Sequence, residues 1–340
     1  MQPARFTAFV LVLALMVTCG LAADSPAVNV GAAATAPVRP FLTLDALRAK
    51  YGDSHGQIAR LGGVDVYYKD EGRGPAILMV HGSVSTLHTW DKVVPSLSRH
   101  YRIIRFDIPP QGLSGPVSDE AAAHLVPVDI AIQLLGKLGV QRVIFVGVSS
   151  GGTLGVFLAA QRPDLVERLI LSNAPSDPVT TAHMRQTDEF IAAQREAKES
   201  GFQSLRFWNA FHDFFSGDPK RIDSKLREQY YDMNRRMPEK NYLTLVAQVA
   251  DHAKAIDAMS RVTAPTLLIW GGRDPLLVPA SADTLAGYLN HAQVSKIILP
   301  DVGHYPPLEA PERFAQLVAA YIEAAVPLSG QFVLRDCAPD

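Results

Sequence analysis

Short, mostly apolar runs recur along this chain at residues 76–80, 102–106, 142–146, 169–171, 266–270 and 294–299. The first reads Ala76-Ile77-Leu78-Met79-Val80, wholly apolar, as suits a strand buried on both faces. Between the runs, segments 89–97, 128–138, 150–161, 280–289 and 311–325 space their apolar residues as helix faces do. Strand and helix in alternation predict an α/β fold with a mostly parallel sheet, because parallel neighbours need a crossover between them. Ahead of this pattern, 41–51 reads as a short helix with Asp45 near its start, and 57–68 alternates around Gly62-Gly63 as a hairpin does.

The alternation breaks once. From 176 to 262 no strong strand pattern occurs, and helices are expected at 181–200, 202–215, 220–236 and 241–259. That is too long for an ordinary crossover. It predicts a helical cap over the C-terminal edge of the sheet, where α/β proteins bind ligands. The segment carries Phe190, Phe202, Phe207, Trp208, Phe211, Phe214, Phe215, Tyr230, Tyr231 and Tyr242. Most are expected to form the cap's own core, with a minority lining an apolar pocket.

The N-terminus stands apart. Arg5 precedes an uncharged apolar stretch over 6–17, followed by Gly20, Ala22 and Ala23, the order of a secretory signal. Residues 6–23 would also serve as an uncleaved anchor, and Cys19 as a lipidated cysteine, although Met16-Val17-Thr18 fits a lipobox poorly. All three readings put the body outside the cytoplasm, periplasmic or secreted. The expected organisation is a signal peptide or anchor at 1–23, a flexible linker at 24–40, a first core part at 41–175, the cap at 176–262, a second core part at 263–327 and a tail at 328–340.

Composition narrows the partners. A hydrophobic fraction of 48% excludes a wholly disordered chain, and 32 Lys+Arg against 34 Asp+Glu exclude a bulk basic footprint for nucleic acid. The 2 cysteines, Cys19 and Cys337, make no disulfide scaffold and show no zinc spacing. Cys337 reads as a free thiol in the tail. The expected partner is a small-molecule substrate, with a membrane contact only through the N-terminal segment.

One motif carries chemistry. Gly147-Val148-Ser149-Ser150-Gly151 follows an apolar strand and opens a helical pattern, the strand–turn–helix setting in which a serine nucleophile stands clear of the backbone. The glycines would remove Cβ atoms from crowded places. A serine hydroxyl needs a base. Of the 10 histidines, His183, His212 and His252 lie in the cap interval after Ser149, and His291 between a helix and a strand. His304, in Gly303-His304-Tyr305-Pro306, leaves the last strand, where catalytic groups collect. Asp274, in Trp270-Gly-Gly-Arg-Asp274, exits the preceding strand and is the expected orienting acid, with Asp177 in reserve and Asp301 as a loop cap. The run 76–80 enters His81-Gly82-Ser83, so the backbone amides of Ser83 and Ser150 are the expected oxyanion donors. His81 reads as a structural hydrogen-bonder; His88 and Trp90 read as pocket wall or as helix-start packing.

With His81-Gly82, Asp107 through Ser114, Gly147-Val-Ser149-Ser-Gly151, Trp270-Gly-Gly-Arg-Asp274 and Gly303-His304 in this order, the chain resembles the α/β-hydrolase superfamily in its capped branch, over roughly 57–325. The resemblance implies an eight-stranded, mostly parallel sheet with helices on both sides, a helical lid, and neither metal nor organic cofactor. Pro109 and Pro110 depart from the Arg-Gly or Pro-Gly that relatives often show there. Ser149 in place of an aspartate disfavours the dehalogenase and epoxide-hydrolase branches. The expected function is a serine hydrolase of small to medium carboxylic esters, acting through Ser149, His304 and Asp274 and an acyl-enzyme. A carbon–carbon bond hydrolase, a lactonase, a cofactor-free perhydrolase and a non-catalytic ligand-binding protein are the alternatives.

Overall fold

The computed structural model describes residues 41–176, 181–236, 241 and 251–324. Among these, eight strands form one sheet: β1 (Gly56–Leu61), β2 (Val64–Gly72), β3 (Ala76–Val80), β4 (Arg102–Phe106), β5 (Val143–Val148), β6 (Val166–Ser172), β7 (Thr266–Gly271) and β8 (Val294–Leu299). Their spatial order is β1-β2-β4-β3-β5-β6-β7-β8. The β1/β2 and β2/β4 pairs are antiparallel and the later neighbours parallel, the sheet that the resemblance implies. The hairpin turns on Gly62 (φ 54°) and Gly63 (φ 79°), a pair of left-handed residues that suits the twist of the flanking strands.

The helices are α1 (Leu44–Tyr51), α2 (Val94–Leu97), α3 (Asp119–His124), α4 (Pro127–Lys137), α5 (Ser150–Gln161), α6 (Asp188–Ser200), α7 (Leu205–Phe215), α8 (Ser224–Asn234), α9 (His252–Ser260), α10 (Ala280–Tyr288), α11 (Pro306–Glu309) and α12 (Pro311–Glu323). Apart from α1, whose Leu47 packs in a smaller cluster with Tyr67, Leu87, Leu113 and Met233, they divide between two apolar cores, one on each face of the sheet. Strand β3 shows the division: Leu78 and Val80 belong to one core, Ile77 and Met79 to the other, as the two-residue period of a strand requires. The second core continues into the cap, where Phe190, Phe207, Trp208, Phe211 and Phe215 are buried together.

Several boundaries differ from expectation, for local reasons. The helix expected at 89–97 is broken into a 3-10 turn, Leu87–Trp90, and the short α2, which begins with Pro95 in its first turn. A proline there has no N–H to continue the preceding turn. In the cap interval, α6, α7 and α8 start later than hydrophobic periodicity suggests. Thr187, Ser204 and Asp223 accept the backbone N–H of Phe190, Phe207 and Leu226 and so set the first turns. Helices α3 and α11 have too few residues for a periodic signal. Residues 1–40, 177–180, 237–240, 242–250 and 325–340, with the expected signal, linker, tail, Asp177, Tyr242 and Cys337, lie outside the described residues.

The topology decides where a site can form. The chain runs from β3 to β4 on one side and returns to β5 on the other, and a ligand crevice forms at the strand ends where order reverses in this way. Val80 pairs with Gly147. The loop beginning His81-Gly82-Ser83 and the turn at Ser149 therefore leave the sheet side by side.

Candidate active site

Ser149 occupies the turn between β5 and α5 with φ 53° and ψ −129°, a conformation that costs a non-glycine residue about 1–3 kcal/mol. The surrounding chain imposes it. The Ser149 N–H donates to the Ser172 carbonyl at 2.9 Å, and the Ser149 carbonyl accepts from Gly152 N–H at 2.8 Å. The flanking glycines are required by space: a Cβ on Gly147 would lie 2.6 Å from the Gly151 carbonyl oxygen, and one on Gly151 would lie 2.4 Å from the Val80 and His81 oxygens. The β3 loop approaches equally closely, since a Cβ on Gly82 would sit 2.9 Å from the Ser149 Cβ.

The two residues expected to offer oxyanion amides are held together. Ser83 Oγ and Ser150 Oγ lie 2.9 Å apart, both residues are buried, and Ser150 is the first residue of α5, where backbone N–H groups lack intrahelical acceptors. His81 has the structural role read from the sequence. Its Nε2 accepts from the Ile108 N–H at 3.0 Å, so its Nδ1–H donates to the Gly82 carbonyl at 2.7 Å. Burial keeps this imidazole neutral by lowering its pKa. Asp107 closes the next loop, accepting from the N–H groups of Leu87 and Leu113 at 2.7 Å each.

Asp274 and His304 meet on the far side of the rim. His304 Nδ1–H donates to Asp274 Oδ2 at 2.6 Å, with the residues 2% and 3% exposed. The same oxygen accepts from Asn173 Nδ2 at 2.6 Å, while Oδ1 accepts from the N–H groups of Leu276 at 2.8 Å and Leu277 at 3.1 Å. With four donors, the carboxylate has one available geometry. It fixes the imidazole with its proton on Nδ1, which leaves Nε2 as the basic nitrogen.

Asn173 escaped the sequence reading. It follows β6 with φ 43°, is fully buried, and its Oδ1 also accepts from the Gly271 N–H at 3.1 Å. The available signal was an asparagine at a strand exit, one of the few side chains that tolerate left-handed backbone. Gly303 serves close packing and not a left-handed turn. Its φ lies outside the left-handed region, and it is needed because a Cβ would fall 2.2 Å from the Phe215 carbonyl oxygen.

The other candidates lie elsewhere. His183 contacts the Pro275 carbonyl, His291 is exposed, and His212 is buried in the cap, where burial and the nearby Arg227 lower its pKa to about 3. Asp301 is an ion-pair partner rather than a loop cap: bonds from Arg313 and Arg221 pull its carboxyl to about 2. Trp90 is fully buried against Phe314. His88 lines a narrow cleft under α8 together with Val84, Ser85, Tyr230 and Met233. Its Nδ1 pairs with Asp91 at 2.8 Å. Asn234 on α8 donates to the Val84 carbonyl at 2.9 Å, linking the cap to the loop after Ser83. Among the described residues no group of three or more His, Cys, Asp or Glu is arranged to hold a metal ion.

Comparison with known proteins agrees with the sheet architecture. The alpha/beta hydrolase fold pattern matches residues 75–311. The 2-hydroxymuconate semialdehyde hydrolase of Pseudomonas sp. (strain CF600) is 26% identical over 280 residues, 77% of this chain and 92% of that protein. The pimeloyl-[acyl-carrier protein] methyl ester esterase of Nitrosomonas europaea is 26% identical over 253 residues, 73% of this chain and 96% of that one. The solved enol-lactonase from Burkholderia xenovorans superposes with a TM-score of 0.62 at 22% identity, covering 78% of this chain and 99% of that structure. By the family pattern and the sheet, the chain belongs to the alpha/beta hydrolase fold family and is a hydrolase of that fold.

Proposed function

We propose that the protein hydrolyses small to medium carboxylic esters through Ser149, His304 and Asp274. The observation that carries this reading is the buried bond between His304 Nδ1 and Asp274 Oδ2, 2.6 Å long, on the same rim as a serine in a strained turn. His304 Nε2 takes the Ser149 proton as Oγ attacks the ester carbonyl. The amides of Ser83 and Ser150 receive the oxyanion, each contributing about 3 kcal/mol to the transition state. The intermediate collapses, the imidazolium gives its proton to the departing alcohol, and a water activated by His304 releases the acid. Asp274 stays ionised and stabilises the imidazolium throughout.

Substrate type separates this reading from carbon–carbon bond cleavage, which the 2-hydroxymuconate semialdehyde hydrolase relative suggests. A panel of 4-nitrophenyl esters from acetate to octanoate, run beside a vinylogous diketone, tests it. The expected result is turnover of the shorter esters that vanishes in Ser149→Ala. Preferential turnover of the diketone would transfer the same residues to the second reaction. We also propose that the protein acts outside the cytoplasm; support is the charged, apolar, small-residue order of residues 1–23.

A further inference from the structure

A buried carboxylate lies close to His304 without belonging to the Asp274 pair. Glu309 closes α11, is 5% exposed, and accepts peptide N–H groups with both oxygens: Gly303 at 2.9 Å on Oε1, Gly217 at 2.8 Å and Asp218 at 3.4 Å on Oε2. Among the described residues no cation forms an ion pair with it. Burying an ionised carboxylate on peptide groups, with only the more distant Arg221 charge to help, costs several kcal/mol, so a hydrophobic residue would be the cheaper filler for that space.

Its ligands belong to two different parts of the molecule. Gly303 precedes His304 in the loop after β8, whereas Gly217 and Asp218 lie just past α7, in the interval that forms the cap. The two segments are joined again by the His304 N–H, which donates to the Phe215 carbonyl at 2.8 Å. They also pack without spare room: a Cβ on Gly217 would lie 2.5 Å from the Asp301 oxygen and 2.8 Å from the Gly303 nitrogen. The acid's loop grips the same peptide, because Arg273, the neighbour of Asp274, donates Nη1 to the Gly217 carbonyl at 3.0 Å.

We propose that Glu309 is a positioning residue: it ties the His304 loop to the exit of cap helix α7, so that the seating of the cap sets the reach of the imidazole. The proposal rests on the catalytic reading of His304. Misplacing a catalytic group by about 1 Å costs on the order of 100-fold in rate. Glu309→Gln keeps the size but turns an amide NH2 toward a peptide N–H. Arg273→Met acts from the opposite side through an exposed side chain, and it keeps the proposal testable if Glu309→Gln fails to fold.

The measurements are kcat and KM on 4-nitrophenyl butyrate, circular dichroism for folding, and the rate at which a fluorophosphonate labels Ser149. For folded Glu309→Gln we expect kcat and labelling to fall about 10–100-fold with KM within about twofold, and for Arg273→Met a smaller fall of the same kind. A purely stabilising role would lower the melting temperature and leave kcat intact. Unchanged kcat in folded Glu309→Gln overturns the proposal, as does unchanged kcat in Arg273→Met should Glu309→Gln be unfolded. If the wild type labels normally, either result leaves the catalytic reading standing; an unlabelled wild type overturns both.

Discussion

The two sides of the site are built on opposite terms. On the Asp274 side the buried carboxylate and amide are fully engaged: one carboxylate takes four donors, and Asn173 bridges it to the Gly271 peptide. Under the cap, His88 Nε2, Trp208 Nε1, His212 Nε2 and the Tyr230 hydroxyl are buried and have no hydrogen-bond partner among the described residues. The Tyr230 hydroxyl lies beside Ser85, Thr89 and Tyr305, and burial pushes its pKa up to about 12. Proton transfer between fixed groups tolerates little slack, so the first region is over-determined. The second region instead leaves several buried polar groups unsatisfied inside an apolar core.

That contrast can be broken most strongly at the nucleophile. Ser149→Ala should lower kcat for ester hydrolysis by about a million-fold, the scale set by removing a catalytic serine elsewhere, with little change in folding. Asp274→Asn keeps the shape but presents an amide to an imidazole N–H, and should cost about 10 000-fold, read as kcat/KM at neutral pH. Asn173→Ala should cost less, about tenfold in kcat, because His304 still holds Asp274. Its stability loss, from a buried peptide N–H left without an acceptor, should be about 1–3 kcal/mol in a denaturant titration.

The cap side should respond in stability and not in rate. His212 has a pKa of about 3 in the folded protein, against about 6.5 in an unfolded chain. Between those values the unfolded chain binds a proton that the folded one refuses. Stability therefore falls as pH drops through this window, by about 1.4 kcal/mol per pH unit. His212→Phe should flatten that acid slope in thermal melts at pH 4–6 while leaving kcat at pH 7 unchanged. Tyr230→Phe should have the smallest effect, within about 0.5 kcal/mol in stability, since it deletes a hydroxyl without a partner.

The same division governs what could be read from residues alone. Strands β3, β4 and β8 and helix α5 coincide with their expected ranges, because an apolar run bounded by turn residues has one packing solution in a two-sided sheet. Asp274 and His304 were legible as strand-exit residues, and the structure brings them within hydrogen-bond distance. Asn173 and Glu309 were not. Each acts by accepting N–H groups of peptides in other segments, at positions 271, 303 and 217, and no local pattern records such a partner. The cap's helix starts were hidden for a smaller reason: one capping side chain outweighs several residues of periodicity. Cap aromatics could be assigned to an interior as a class, yet which of them face a substrate depends on helix packing that residue spacing does not encode.

The most direct measurement is the site and rate of fluorophosphonate labelling, read by peptide mass spectrometry on the folded wild type and on His304→Ala. The expected result is a single label on Ser149 in the wild type and labelling about 100-fold slower or more in the variant, because the base is missing. A folded wild type with no label on Ser149, or a His304→Ala protein labelled as fast as the wild type, would contradict the account.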